Sequence, residues 1–220
     1  MNRNTRKTLS PEPPRLPDGL APSALTAMRD EEEIARVLLE GNRFGRTAAG
    51  GVVIEQAVMR RVVFEGGRLA GVRLADVLFE GADLPGIVLL RARLQRVEFR
   101  GCRLTGAQLS EFRGRDVLFR ECALESAILT SGQLRAVRFE RCNLRKAIIE
   151  RVELPGAVFL GCDLSDADFS GSATQGVDFR GSDLAGVHIE ARQLQGAIID
   201  PLQTMQVAAL LGISVKEQGD

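Results

Sequence analysis

Residues 101–160 align on themselves in three blocks of twenty: GCRLTGAQLSEFRGRDVLFR (101–120), ECALESAILTSGQLRAVRFE (121–140) and RCNLRKAIIERVELPGAVFL (141–160). Cysteine holds the second place of each block and phenylalanine the nineteenth. Working outward, Phe79, Phe99, Phe119, Phe139, Phe159 and Phe179 recur every 20 residues, and so do Cys102, Cys122, Cys142 and Cys162. A shorter step lies inside the blocks. Every fifth residue from Ile54 to Ile199 is Leu, Phe, Ile or Met at 28 of 30 positions, and only Gly114 and Thr174 break the row. Two residues before most of the large ones stands a small one, as at Val72, Ala82, Ala92, Cys102, Ala107, Ala127, Val137 and Ala147. Neither a helical nor a simple strand period generates this pattern. Self-similarity at a fixed step is the mark of a repeat architecture.

Four five-residue units per 20-residue turn place like residues directly above one another, about 4.8 Å apart if the turns pair as strands. The large and small residues then point inward and the intervening polar residues and glycines form corners. A single coil cannot bury its own interior; stacked coils bury a continuous core and satisfy each other's backbone groups. Glycines such as Gly66, Gly71, Gly101, Gly106, Gly161 and Gly181 suit the corners, and Pro85-Gly86 and Pro155-Gly156 suit type II turns. The phenylalanine column is expected to be an internal stack. The cysteines occupy a slot otherwise held by Ala, Val or Ser, so they read as small packing residues rather than as a metal or disulfide site.

The pattern of a small residue, any residue, Leu or Phe, and two further residues resembles the pentapeptide-repeat family over residues 34–199. The resemblance implies an all-β fold, a right-handed quadrilateral parallel β-solenoid, here with a C-terminal capping helix. The expected organisation is a disordered Pro/Arg-rich tail over residues 1–30, the solenoid over 31–199, and a capping and dimerisation segment over 200–220. Ile34, Val37 and Leu38 also fit a short helix, but Ile34, Leu39 and Phe44 continue the five-residue step, which favours a solenoid starting near Ile34. Phe112 in a small slot next to Gly114 in a large one reads as a size swap within one layer, and Thr174 as a small gap. From residue 50 to 199 the register never slips, so no inserted loop is expected.

At the C-terminus Asp200 is a suitable helix cap, Pro201 a first helical residue and Gly212 a stop. The segment Asp200, Gln203, Leu211, Gly212, Ile213 and Val215 resembles the C-terminal segment of the Qnr and MfpA proteins. That resemblance implies a homodimer joined through the C-terminal ends, with Leu202, Met205, Ala209, Leu210, Ile213 and Val215 as candidate interface residues. It further implies a DNA mimic that binds DNA gyrase and modulates it, protecting it from quinolones or inhibiting it. The absence of an inserted loop is closer to the MfpA type.

Lys+Arg and Asp+Glu are equal at 29 each, so net charge points to neither nucleic acid nor a membrane surface. The balance is uneven along the chain. Residues 51–160 carry 18 basic and 13 acidic side chains, whereas residues 161–200 carry 2 and 7. Asp163, Asp166, Asp168, Asp178, Asp183 and Glu190 are therefore the candidate acidic partner-binding residues, with solvated corners as the competing reading. The basic run Arg91, Arg93, Arg96, Arg100, Arg103, Arg113, Arg115 and Arg120 is expected to form mixed ladders with acids such as Glu98, Glu121 and Glu140. Leu78, Leu118 and Val158 in one outward column, and Ile128 and Ile148 in another, form a candidate contact strip. Direct nucleic-acid binding is disfavoured because no exposed aromatic is available for base stacking.

His188 is the only histidine, which excludes a multi-histidine metal site, and a convex rod offers no cleft for a catalytic triad. No catalytic residue and no cofactor is expected. No apolar run approaches the about 18 residues that span a bilayer, and the first 24 residues hold no signal-type apolar core. The expectation is a cytoplasmic protein that works by binding other proteins: gyrase, or a different partner through a general interaction surface.

Overall fold

The computed structural model describes residues 10–216. The chain winds as a right-handed, four-faced parallel β-solenoid in which each coil takes 20 residues, so Val97 pairs with Val77 below and Val117 above. The first face is centred on Leu74, Leu94 and their equivalents, and the second on Phe79, Phe99 and theirs. Eight-residue strands cross both faces without a break: Val53–Arg60, Arg73–Glu80, Arg93–Arg100, Arg113–Arg120 and Gln133–Glu140. The third face is mostly a column of single parallel bridges, Val63, Asp83, Arg103, Ala123, Asn143, Asp163 and Asp183. The fourth is a six-stranded sheet of three-residue strands from Ala48–Gly50 to Ile148–Glu150. The ambiguous segment near the start is strand: Ile34 pairs with Ile54 and Leu39 with Met59.

The corners explain the five-residue step. From Glu31 to Gly186 every fifth residue except Arg46 has a positive φ, whether or not it is glycine. At Pro85-Gly86 and Pro155-Gly156 the corner closes on itself, with the Ile87 and Ala157 N–H groups donating to the Leu84 and Leu154 carbonyls. There and at other corners the left-handed residue donates across coils, as Gly86 does to the Thr105 carbonyl at 2.9 Å and Arg61 to the Glu80 carbonyl at 2.8 Å. From residue 161 onward the closed corners take over and the strands shrink to single bridges.

Inside, the rings of Phe79, Phe99, Phe119, Phe139 and Phe159 stack at 4.7–4.8 Å between centroids and within 9° of parallel. Phe179 continues the pile at 5.7 Å, and Phe169 meets it edge-on. All four cysteines are buried free thiols. Each points its Sγ at a phenylalanine carbonyl of an earlier coil, from Cys102 to Phe79 at 3.6 Å through Cys162 to Phe139 at 3.5 Å. Ser182 takes the next place in the column and donates to the Phe159 carbonyl at 2.9 Å.

The size swap at Phe112 spans two coils rather than one layer. A Cβ on Gly114 would lie 2.4 Å from Leu134, and one on Gly132 would lie 2.3 Å from the Phe112 ring. The oversized ring therefore requires a glycine 20 residues on, at Gly132, while Gly114 is kept small by Leu134 of the next coil. Thr174 leaves no gap: it is fully buried and donates its hydroxyl to the Gln193 carbonyl at 2.7 Å.

The tail departs from the expected disorder over residues 10–30. Glu12 N–H reaches Asp116 at 3.3 Å, Arg15 N–H reaches Asp76 at 2.8 Å, and Ala21–Pro22 pairs with Val37 and Leu38. The tail thus runs back down the edge between the first and second faces. Prolines at 11, 13, 14, 17 and 22 hold it extended in advance, which lowers the entropy cost of docking. The remainder of the expected disordered segment, residues 1–9, lies outside the described residues. Among the described residues no helix is long and apolar enough to cross a membrane.

Candidate partner-binding surfaces

The C-terminal end is built on a motif used twice. In Glu190-Ala-Arg-Gln193 and Asp200-Pro-Leu-Gln203 the acid opens a 3₁₀ turn and the glutamine three residues later bonds back to its N–H, a capping box. Each glutamine is buried and its Nε2 donates to two carbonyls of the final coils: Gln193 to Phe169 and Ser172, both at 2.7 Å, and Gln203 to Phe179 at 2.6 Å and Ser182 at 2.7 Å. Carbonyls that a further coil would have covered are thereby satisfied. Sequence reading misses Gln193, although the repeated acid-x-x-Gln spacing, ten residues apart, is there to show it.

After Asp200 come the turn Pro201–Gln203 and the helix Thr204–Leu210, ended by Gly212 at φ +71°. Val207 and Leu210 pack against the core. Leu210, among the expected interface residues, is half-buried with its side chain turned toward the last coil that the helix covers. The other candidates face solvent: Leu202 is 91% exposed, Met205 58% and Ile213 55%, with Val215 and Ala209 also exposed. Among the described residues, large apolar side chains this open are confined to the C-terminal end, apart from Ile148, at the threshold of exposure.

The acidic candidates are distributed over several faces rather than gathered. Asp163 and Asp183 stack on the third face, Asp168 stands on the fourth and Asp178 on the second. Asp166 is an exposed left-handed corner, and Glu190 pairs with Arg192 at 2.7 Å. Asp163, Asp168, Asp178 and Asp183 do the same local work, since each accepts the backbone N–H two residues on and closes its own turn. Burial pushes the Asp163 carboxyl up, but hydrogen bonds from Ser165 and the nearby Arg145 more than offset it and hold the group below the usual range. Asp178 is withdrawn from any outward role. It is 2% exposed and gripped by Arg180, whose hydrogen bonds outweigh the burial cost and hold its carboxyl low. Only Asp163 and Asp183 form a joint feature, with Ser165 reaching both and Gln206 of the capping helix donating to Asp183 at 2.9 Å.

The expected apolar strip also divides. Leu118 and Val158 are buried although they lie outside the inward core, Leu78 and Ile128 are half-buried, and Ile148 is exposed. Asp116, two residues before Leu118, accepts from the Glu12 N–H of the tail. Of the basic run, Arg96 pairs with Asp76, Arg100 with Glu98, Arg103 with Asp83, Arg115 with Asp116 and Arg120 with Glu140. Arg91, Arg93 and Arg113 do not join a mixed ladder.

Two family models match the chain: "Pentapeptide repeat region" over residues 72–149 and "Pentapeptide repeats (8 copies)" over 162–199, together more than half of it. The chain belongs to the pentapeptide-repeat family. Solved structures similar to this pentapeptide-repeat protein include a trypsin-treated, singly substituted form of QnrB1, described as a plasmid-mediated fluoroquinolone resistance protein. It is 19% identical, with 86% of this chain and 99% of that one covered and a TM-score of 0.44. Full-length QnrB1 is 20% identical, with 87% and 100% covered and a TM-score of 0.31. HetL from the cyanobacterium Nostoc sp. strain PCC 7120, described as involved in heterocyst differentiation regulation, is 21% identical, with 79% and 87% covered and a TM-score of 0.27. At these identities the likeness is one of fold. No curated protein matches the chain.

Proposed function

We propose that this pentapeptide-repeat protein is a non-enzymatic binding protein of the cytoplasm that pairs with a second copy through its C-terminal end and presents its flanks to a protein partner. The observation that carries the reading is the apolar end formed by Leu202, Met205, Ile213 and Val215, set beyond a coil whose carbonyls are already capped. An apolar surface of this kind is stabilised by burial against its own copy across a two-fold axis. The proposed partner is DNA gyrase. Supporting this are the resemblance of residues 200–215 to the Qnr/MfpA segment and the stacked Asp163 and Asp183, which pairing would bring toward the centre of a dimer. A gyrase supercoiling assay with and without a fluoroquinolone tests it. The expected result is inhibition or drug protection by the wild type, lost in Asp163→Asn/Asp183→Asn; unchanged supercoiling at excess protein contradicts gyrase as partner. The second reading, a general interaction solenoid with another protein partner, is favoured by the spread of the acidic side chains over several faces.

A further inference from the structure

We propose that the edge between the fourth and first faces, midway along the rod, binds a phosphate-bearing anion, held by Arg91, Arg93 and Arg113. Arg73, Arg93 and Arg113 stand in coil-to-coil register, three like charges one strand spacing apart. Such a column is unfavourable unless an anion neutralises it. Five arginines of the solenoid are neutralised by a carboxylate one coil away: Arg60 with Glu80 at 2.7 Å, Arg96 with Asp76 at 2.5 Å, Arg103 with Asp83 at 2.6 Å, Arg120 with Glu140 at 2.7 Å and Arg141 with Glu121 at 2.6 Å. Among the described residues, Arg73, Arg91, Arg93 and Arg113 have no carboxylate within 4.0 Å.

The surface is also concave at this point. A notch of about 660 Å³ is floored by Ala92, Phe112 and Gly132, the last denied a side chain by the Phe112 ring. Arg91, Arg93 and Arg113 line one end of it. At the other end Arg151 pairs with Glu150, and Glu153 accepts from Gln133 while keeping its charge. Glu111 also lines the notch and leaves the arginine end with a net excess of positive charge. Several guanidinium forks around one notch match an anion with several acceptor oxygens and more than one charge, which a phosphate group supplies. Contacts of this kind need no aromatic stacking. The phosphate has two candidate sources, a free polyphosphate or a nucleic-acid backbone.

Calorimetric titration with sodium tripolyphosphate, and fluorescence anisotropy with a labelled DNA duplex, test this on the wild type, on Arg93→Gln/Arg113→Gln and on a control pair, Arg43→Gln/Arg61→Gln. The wild type is expected to bind, with affinity falling about ten-fold or more in the Arg93/Arg113 pair and unchanged in the control. Loss seen with tripolyphosphate assigns a free anion; loss seen with the duplex alone assigns a backbone phosphate at the same notch. Binding of neither, or equal loss in the control pair, overturns the proposal. A second readout needs no ligand. Arg93→Glu turns the column into a mixed one and is expected to raise the melting temperature in phosphate-free buffer; an unchanged or lowered value overturns the premise that the column lacks a counter-charge.

Discussion

Seventeen corner residues other than glycine hold a positive φ, among them Arg61, Glu121, Ala136 and Arg141. For an L-residue this costs roughly 1 kcal/mol each. The coil stack offsets it, because the corner N–H groups of Glu121 and Arg141 reach the Glu140 and Leu160 carbonyls at 2.8 and 2.9 Å. Ala136 has neither a charge nor a long stem to recommend it, so Ala136→Gly is expected to stabilise the protein by about 1 kcal/mol, measured by chemical denaturation. Acid acts on other residues. The hydrogen bonds from Arg96 hold Asp76 below the usual carboxylate range, and Arg120 and Arg138 overcome the burial of Glu140 to do the same. Both groups therefore contribute fully above their unfolded values, near pH 4, and that contribution disappears as pH falls through their depressed ones. Acid unfolding is expected to start below about pH 4, with a shallower acid limb in Asp76→Asn. At this scale the inward residues are legible in the sequence because the five-residue step is a property of single positions. The Phe112–Gly132 pairing is not, because the size compensation jumps a whole coil and Gly132 alone resembles any other small residue.

The repeat strands follow from the sequence because their register is set by like residues stacking on like. The ends do not, since an end has no neighbour to repeat. Read alone, the prolines of the tail suggest an unstructured segment. They instead hold an extended one, whose few free N–H groups find Asp76 and Asp116 at a solenoid edge that only the folded coil creates. The C-terminal cap is legible in outline from Asp200, Pro201 and Gly212, but its main device is the buried pair Gln193 and Gln203. Replacing Gln203 by Ala leaves the Phe179 and Ser182 carbonyls without their donor, at a cost of about 1–3 kcal/mol. Hydrogen exchange is expected to quicken over residues 179–210 in that variant and to stay unchanged over the middle coils. Uniform acceleration along the rod would show that the cap acts on global stability instead.

For the whole molecule, a net charge of zero conceals two different surfaces. Five of the eight arginines in the basic run pair with a carboxylate, three of them across coils, and Arg91, Arg93 and Arg113 do not. The acidic coils sit next to the apolar end, but their carboxylates close turns and face several ways. The acidic candidates are thus only partly legible: sequence position places them near one another along the rod but not on one face. The proposed pairing through the C-terminal end would link these features, setting the acidic coils at the centre of the assembly and the basic notches farther out. Sedimentation velocity on the wild type and on Met205→Glu/Ile213→Glu tests that arrangement directly. The expected result is a concentration-dependent dimer for the wild type and a monomer of unchanged melting temperature for the variant. A wild type that stays monomeric at about 100 µM, or a variant that still dimerises, contradicts it.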